Sequence, residues 1–110
     1  MSSYIAYKGQ IFTIEFFRKE DESLPVEEWL ESIDQDIQRK FAALLMRMGD
    51  TGKIWNEQKF KHLEGSEKIF EFKPGKGRVL CFFFVGKKII LTNGFVKKSK
   101  KTPKSEIELA

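Results

Sequence analysis

The sequence predicts one α+β domain: a small, mostly antiparallel sheet of about four strands, with an N-terminal helical hairpin packed on one face and a short C-terminal helix. Three observations carry this reading. Three apolar runs, Ile69 to Phe72, Val79 to Val85 and Ile89 to Phe95, are separated by the glycine-containing turns Pro74-Gly75-Lys76-Gly77 and Gly86-Lys87-Lys88, the pattern of an antiparallel meander. Upstream, Ile37, Phe41, Leu44, Leu45 and Met48 recur at helical spacing on one face. Near the start, Phe12, Ile14 and Phe16 alternate with Thr13 and Glu15, as in a half-buried strand.

Taken in order, the strand over Ile11 to Phe17 is expected to join the later sheet at an edge. Arg18 to Glu22 is a charged turn. Ser23-Leu24-Pro25 opens a short helix through about Glu31, with Ser23 as its cap, Pro25 in its first turn, and Val26, Trp29 and Leu30 as its apolar stripe. Asp34 is the expected cap of the second helix, which should end before Gly49. The two helices form the hairpin that covers the sheet. From Asp50 to Glu67 the chain is an extended connection with a brief strand around Lys59 to His62, and Trp55, Phe60 and Leu63 are its expected anchors in the core. In the meander, the unbroken run Phe82-Phe83-Phe84 predicts a central strand buried on both faces, whereas Phe70 and Phe72 alternate with Glu71 and Lys73, as in a half-exposed strand. Thr102-Pro103 caps a final helix from Pro103 to Ala110.

A chain of 110 residues with 41% apolar content and eleven phenylalanines reads as one ordered domain rather than a disordered segment. No apolar run reaches the length of a membrane helix, and Met1-Ser2-Ser3-Tyr4 has neither the basic start nor the apolar core of a signal peptide, so a cytoplasmic address is the expectation. The single Cys81 falls in the central apolar run and reads as a small buried thiol.

The net charge of +4 conceals a bipolar chain: Glu15 to Asp36 holds nine acids against two bases, and Lys59 to Lys104 thirteen bases against three acids. A basic half with aromatic strands points to an anionic partner, and nucleic acid is the usual choice in the cytoplasm. Lys97, Lys98, Lys100, Lys101 and Lys104 follow the last strand with no acid before Glu106.

Most catalytic patterns are missing from the sequence. Pro74-Gly75-Lys76-Gly77-Arg78 leads into a strand, so no helix N-terminus follows to hold a phosphate, and a hairpin turn is the better reading. One His and one Cys provide no metal-ligand spacing, and no metal or cofactor is expected. His62 reads more simply as a loop or strand histidine than as a catalytic base. What remains is cationic: Lys73 ends one strand, Arg78 begins the next across the turn, and the third strand returns Lys97 and Lys98 toward the same edge. RNA carries its own nucleophile in the 2′-OH. A lysine whose pKa is lowered by neighbouring cations can take that proton, and an arginine can stabilise the phosphorane. The same residues also suit a hairpin edge guarded against aggregation by charge, and spacing alone leaves both readings open.

At these residues the chain resembles the RelE/ParE superfamily of toxins from type II toxin–antitoxin modules, and within it the HigB-type, phage-derived branch. The resemblance rests on L-E-G-S-x-x-I-F-E-F-K (Leu63 to Lys73), G-R-V-L-C-F-F-F (Gly77 to Phe84) and I-I-L-T-N-G-F-V-K-K-S-K-K-T-P-K-S-E-I-E-L-A (Ile89 to Ala110), with G-F-x-K-K-x-x-K-T-P (Gly94 to Pro103) its most specific part. It implies a metal-independent endoribonuclease that cuts messenger RNA on the ribosome and is held inactive by a helix-turn-helix antitoxin encoded beside it. By this resemblance Arg78 and Lys73 are the catalytic pair and Lys97 and Lys98 contact phosphate, and Lys76, Lys100 and Lys101 are expected to bind RNA beside them. Lys73 stands where the pattern usually has arginine, keeping the charge but losing the guanidinium fork. Ile69 and Glu71 stand where better-defined members have strand lysines, and the family's C-terminal Tyr or His has no counterpart, which leaves the proton-transfer group open among Lys73, Lys76 and His62. These departures also admit a toxin-fold binding protein without nuclease activity, either a gyrase inhibitor or an inactive phage remnant. A plain protein-interaction module is a third reading.

Overall fold

The computed structural model describes residues 4–63, 65 and 68–96. These build a six-stranded sheet and two helices in the order β1 (Ile5–Lys8), β2 (Thr13–Phe16), α1 (Pro25–Ser32), α2 (Gln35–Thr51), β3 (Phe60–His62), β4 (Phe70–Phe72), β5 (Gly77–Phe84) and β6 (Lys88–Val96). The strands lie side by side as β1-β2-β6-β5-β4-β3. The pair β2–β6 is parallel and the others are antiparallel.

This corrects the expected architecture. The sheet is mixed and has six strands rather than about four, because two short strands, β1 and β3, extend it at its edges. The helices do not open the chain as a hairpin. They follow two strands, and each packs on the sheet, α1 against β6 and β2 and α2 against β1 and β2. The expected helix from Pro103 to Ala110 lies outside the described residues. The meander of β4, β5 and β6 forms as the turn glycines indicate, with the amide of Gly77 donating to the carbonyl of Pro74 at 3.0 Å.

The strand β2 is interior rather than an edge, since β1 folds back on it through a turn at 9–12. Its parallel pairing with β6 joins the two ends of the described chain, a long-range contact that no local pattern encodes. The core forms where the α2 stripe of Phe41, Leu44, Leu45 and Met48 meets Ile14, Phe72, Val79, Cys81, Ile89 and Leu91. Phe41 and Phe72 meet edge to face, with ring centroids 5.8 Å apart.

Helix α2 begins as expected, the Asp34 carboxylate accepting from the Ile37 amide at 2.9 Å. It runs past Gly49 and stops at Gly52, which takes φ +74° and donates its amide to the Met48 carbonyl. Gly49 is inside the helix because the β1–β2 turn docks on it. The amides of Ile11 and Phe12 donate to the Gly49 carbonyl at 2.7 and 2.9 Å, and Tyr7 donates to the Asp50 carboxylate at 2.7 Å. A Cβ on Gly49 would come within 2.7 Å of the Tyr7 ring. Helix α1 starts at Pro25 as expected, but Ser23 does not cap it: its hydroxyl donates to Asp21, two residues earlier, and Leu24 occupies the cap without a side-chain bond.

Several burial expectations also fail. Glu15 in β2 and Glu71 in β4, expected on the open sides of half-buried strands, are themselves buried, each beside a cation, Lys88 and Arg78. Phe82 is half-buried, and Phe83 and Phe84 are 40% and 55% exposed, because β5 outruns β4 beyond Cys81 and has β6 as its only partner there. Trp55 is 79% exposed, whereas Leu63 is buried and Phe60 packs against the core as expected.

Candidate functional site

Partners across a sheet share a face, and successive residues along a strand alternate. Phe72, Val79 and Gly94 form one such row, turned toward the helices, since Phe72 and Val79 belong to the core and Gly94 lies directly under the Trp29 ring. The neighbouring row, Lys61, Glu71, Leu80 and Asn93, therefore lies on the face away from α1 and α2. Arg78 and its partner Phe95 belong to that same face.

Arg78 is held by the turn before it. Its Nη1 donates to the carbonyls of Gly75 and Gly77, both at 2.7 Å. Its Nε lies 3.9 Å from Glu71 Oε1, close enough for charge attraction but too long for a hydrogen bond. That Nε is buried and has no hydrogen-bond partner among the described residues. The Arg78 side chain is 14% exposed and that of Glu71 5%, so the pair is shielded from water and its charges interact more strongly than at a surface. The guanidinium has five N–H donors. The geometry leaves it oriented and charged, with Nη1 taken by the turn and Nε buried beside Glu71.

Lys73 and Arg78 flank one turn, as the meander requires, but their heads are anchored differently. The Lys73 ammonium is 3.1 Å from the Glu57 carbonyl, reaching toward the segment before β3. Lys76 is at the exposed tip of the turn. The described part of β6 ends beside this turn, Val96 pairing with Gly77. Lys97, Lys98, Lys100 and Lys101 lie outside the described residues. His62 pairs with Phe70 and packs its ring 4.9 Å from that ring. It belongs to the row that includes Cys81, on the opposite face from Arg78, and is thereby separated from it. Burial pushes the Cys81 thiol pKa far up and keeps it a packed thiol, in agreement with the sequence reading.

Sequence reasoning missed two residues of this face, Lys61 and Glu71. Lys61 alternates between Phe60 and His62, so its exposure was legible, but only the β3–β4 register places it opposite Glu71. Glu71 was noted as a departure from a lysine pattern, and its position beside Arg78 follows from the β4–β5 register. Among the described residues, no group of His, Cys, Asp and Glu is placed to hold a metal ion, and no helix is long and apolar enough to cross a membrane.

Residues 28–110 match the model of the phage-derived Gp49-like protein family. No curated protein matches the chain. The matched span takes in α2, the whole meander, the turn that holds Arg78 and the lysines that follow β6. By this match over most of its length the chain belongs to the phage-derived Gp49-like family, which is related to the toxins of toxin–antitoxin modules.

Proposed function

We propose that the chain is the toxin of a type II toxin–antitoxin module, of the HigB-type branch of the RelE/ParE superfamily, and that it cleaves messenger RNA on the ribosome without a metal. The observation that supports this most is Arg78: a guanidinium in the basic half of the chain, fixed by two backbone carbonyls on the sheet face that α1 and α2 leave uncovered among the described residues. A phosphate brought there meets a fixed cation whose attraction strengthens as charge develops on the phosphorane. Glu71 orients Arg78, and Lys73 and Lys76 supply charge at the turn. The 2′-OH of the RNA is the nucleophile. The expected partners are the ribosome with its messenger RNA and a helix-turn-helix antitoxin, in the cytoplasm.

Expression of the chain in growing cells tests this reading. Fresh 5′ ends within coding regions, absent for Arg78→Ala at equal protein level, are the expected result. Intact messenger RNA during growth arrest would contradict it. One observation favours a second reading, a binding protein of the same fold without nuclease activity: the described group beside Arg78 is the carboxylate of Glu71, and His62 lies on the other face. Gyrase-dependent DNA breaks with messenger RNA intact would select that reading.

A further inference from the structure

A second basic surface lies on the helix side of the sheet. Lys40, Ala43 and Arg47 recur at spacings of three and four along α2 and face the segment that leads into β3. Two clefts of about 360 and 300 Å³ open there, and they share Ala43, Leu44, Asn56 and Lys59, so they form one continuous groove. Its lining carries Lys40, Arg47, Lys59 and Lys73 and no acidic side chain. Lys40 also pairs with the exposed Asp36 of its own helix at 2.9 Å. At one end stands Trp55, 79% exposed with the Lys53 ammonium 5.3 Å above its ring. At the other end the groove reaches Pro74 and Gly75, the turn whose carbonyls hold Arg78.

An indole left in water costs free energy, and here it costs without contributing to the core, since Phe60 and Leu63 anchor this segment. A charged track ending in an exposed aromatic ring is the arrangement by which proteins hold single-stranded nucleic acid: cations follow the phosphates and a base stacks on the ring. We propose that this groove binds single-stranded RNA, with Trp55 as the stacking platform and Arg47, Lys40, Lys59 and Lys73 along the backbone, leading the strand toward the Arg78 turn. The inference rests on the nucleic-acid reading above and adds a surface to it, on the face of the sheet away from Arg78. An acidic protein segment is the competing occupant. The ring favours RNA, because a carboxylate chain gains nothing from an indole plane.

The test is binding, separate from cleavage. A fluorescein-labelled oligouridylate made with 2′-O-methyl sugars lacks the internal nucleophile and stays intact. Its affinity for the full chain is read by anisotropy across a salt series. Trp55→Ala is expected to weaken binding about tenfold, Trp55→Phe to retain most of it, and Arg47→Ala to reduce the salt slope by about 0.7, one phosphate contact on a single strand. Both side chains are exposed, and circular dichroism verifies that the variants are folded. Equal affinity of wild type, Trp55→Ala and Arg47→Ala would overturn the proposal, as would polyglutamate that displaces the oligonucleotide and binds Trp55→Ala undiminished. A chain that binds through Trp55 yet leaves messenger RNA uncut would retain the groove and contradict the nuclease reading. Cleavage by a chain whose Trp55→Ala variant binds normally would do the reverse.

Discussion

The guanidinium of Arg78 is oriented by the turn that precedes it, through two backbone carbonyls, and faces a buried carboxylate on the neighbouring strand β4. The two hydrogen bonds fix the plane of the fork and the carboxylate adds charge attraction, and fixed donors stabilise developing charge without reorganising during the reaction. Arg78→Lys keeps the charge and loses the fork. It is expected to lower the cleavage rate by one to two orders of magnitude, less than the roughly 10²- to 10³-fold loss for Arg78→Ala, as single-turnover rates on programmed ribosomes would measure. Glu71→Gln removes a buried partner charge and leaves Arg78 half-compensated. A stability loss of about 1–3 kcal/mol is expected, visible as a lower urea midpoint at unchanged slope. At this scale the sequence was informative about Arg78, because a charged residue between a glycine turn and an apolar run announces itself. It was silent on what surrounds Arg78. Glu71 and Lys61 come to it through strand register, and a shift of one residue would have sent both to the other face.

Elements are joined here by small residues and by one phenol. Gly9 and Gly49 meet so closely that a Cβ on Gly9 would lie 2.1 Å from the Gly49 carbonyl carbon, whereas one on Gly49 would meet the Tyr7 ring at 2.7 Å. Alanine at Gly49 gains about 1 kcal/mol of helix propensity but overpacks the joint by about 1–3 kcal/mol, so the overlap wins and Gly49→Ala is destabilising. Gly9→Ala, which strikes backbone rather than a ring, should cost more, and thermal melts of the two variants would rank them. Tyr7 donates to Asp50 across the same joint, and this hydrogen bond holds its phenol pKa above the ordinary 10. A folded value raised above the unfolded one stabilises the protein below about pH 10 and is lost as pH rises through the folded value. Tyr7→Phe should therefore flatten the alkaline limb of a stability-against-pH curve, and an unchanged limb would show that the joint does not depend on this bond. The α2 stripe and its Asp34 cap were legible because periodicity and capping are local. The end of α2 was misjudged because Gly49 reads as a terminator locally, while its purpose is a contact with a strand forty residues earlier.

The whole molecule separates acidic from basic residues along the chain. Acidic residues gather from Glu15 to Asp36, and the basic half builds the meander, the Arg78 turn and one wall of the groove below α2. Association with ribosomes or RNA should weaken steeply as salt rises, because it is driven by counterion release, and a flat dependence in a filter-binding titration would argue against a phosphate partner. The antiparallel meander was readable from turn glycines, but the six-strand order was not. The brief strand around Lys59 to His62 was legible and forms β3, whereas the edge strand β1 is too short to show a period of its own and the parallel pairing of β2 with β6 depends on a contact between distant segments. Trp55 shows the same limit from the other side: a tryptophan is assigned to the core by type, and here it is exposed beside a row of cations. The claim on which the rest depends is that Arg78 serves ribosome-dependent cleavage. Primer extension on a reporter messenger RNA in a purified translation system, with wild type, Arg78→Ala and a ribosome-free control, addresses it directly. New 5′ ends that require ribosomes and disappear in Arg78→Ala are expected. Folded wild-type protein that yields no new ends with ribosomes present, or an Arg78→Ala variant that cuts as wild type does, would contradict it.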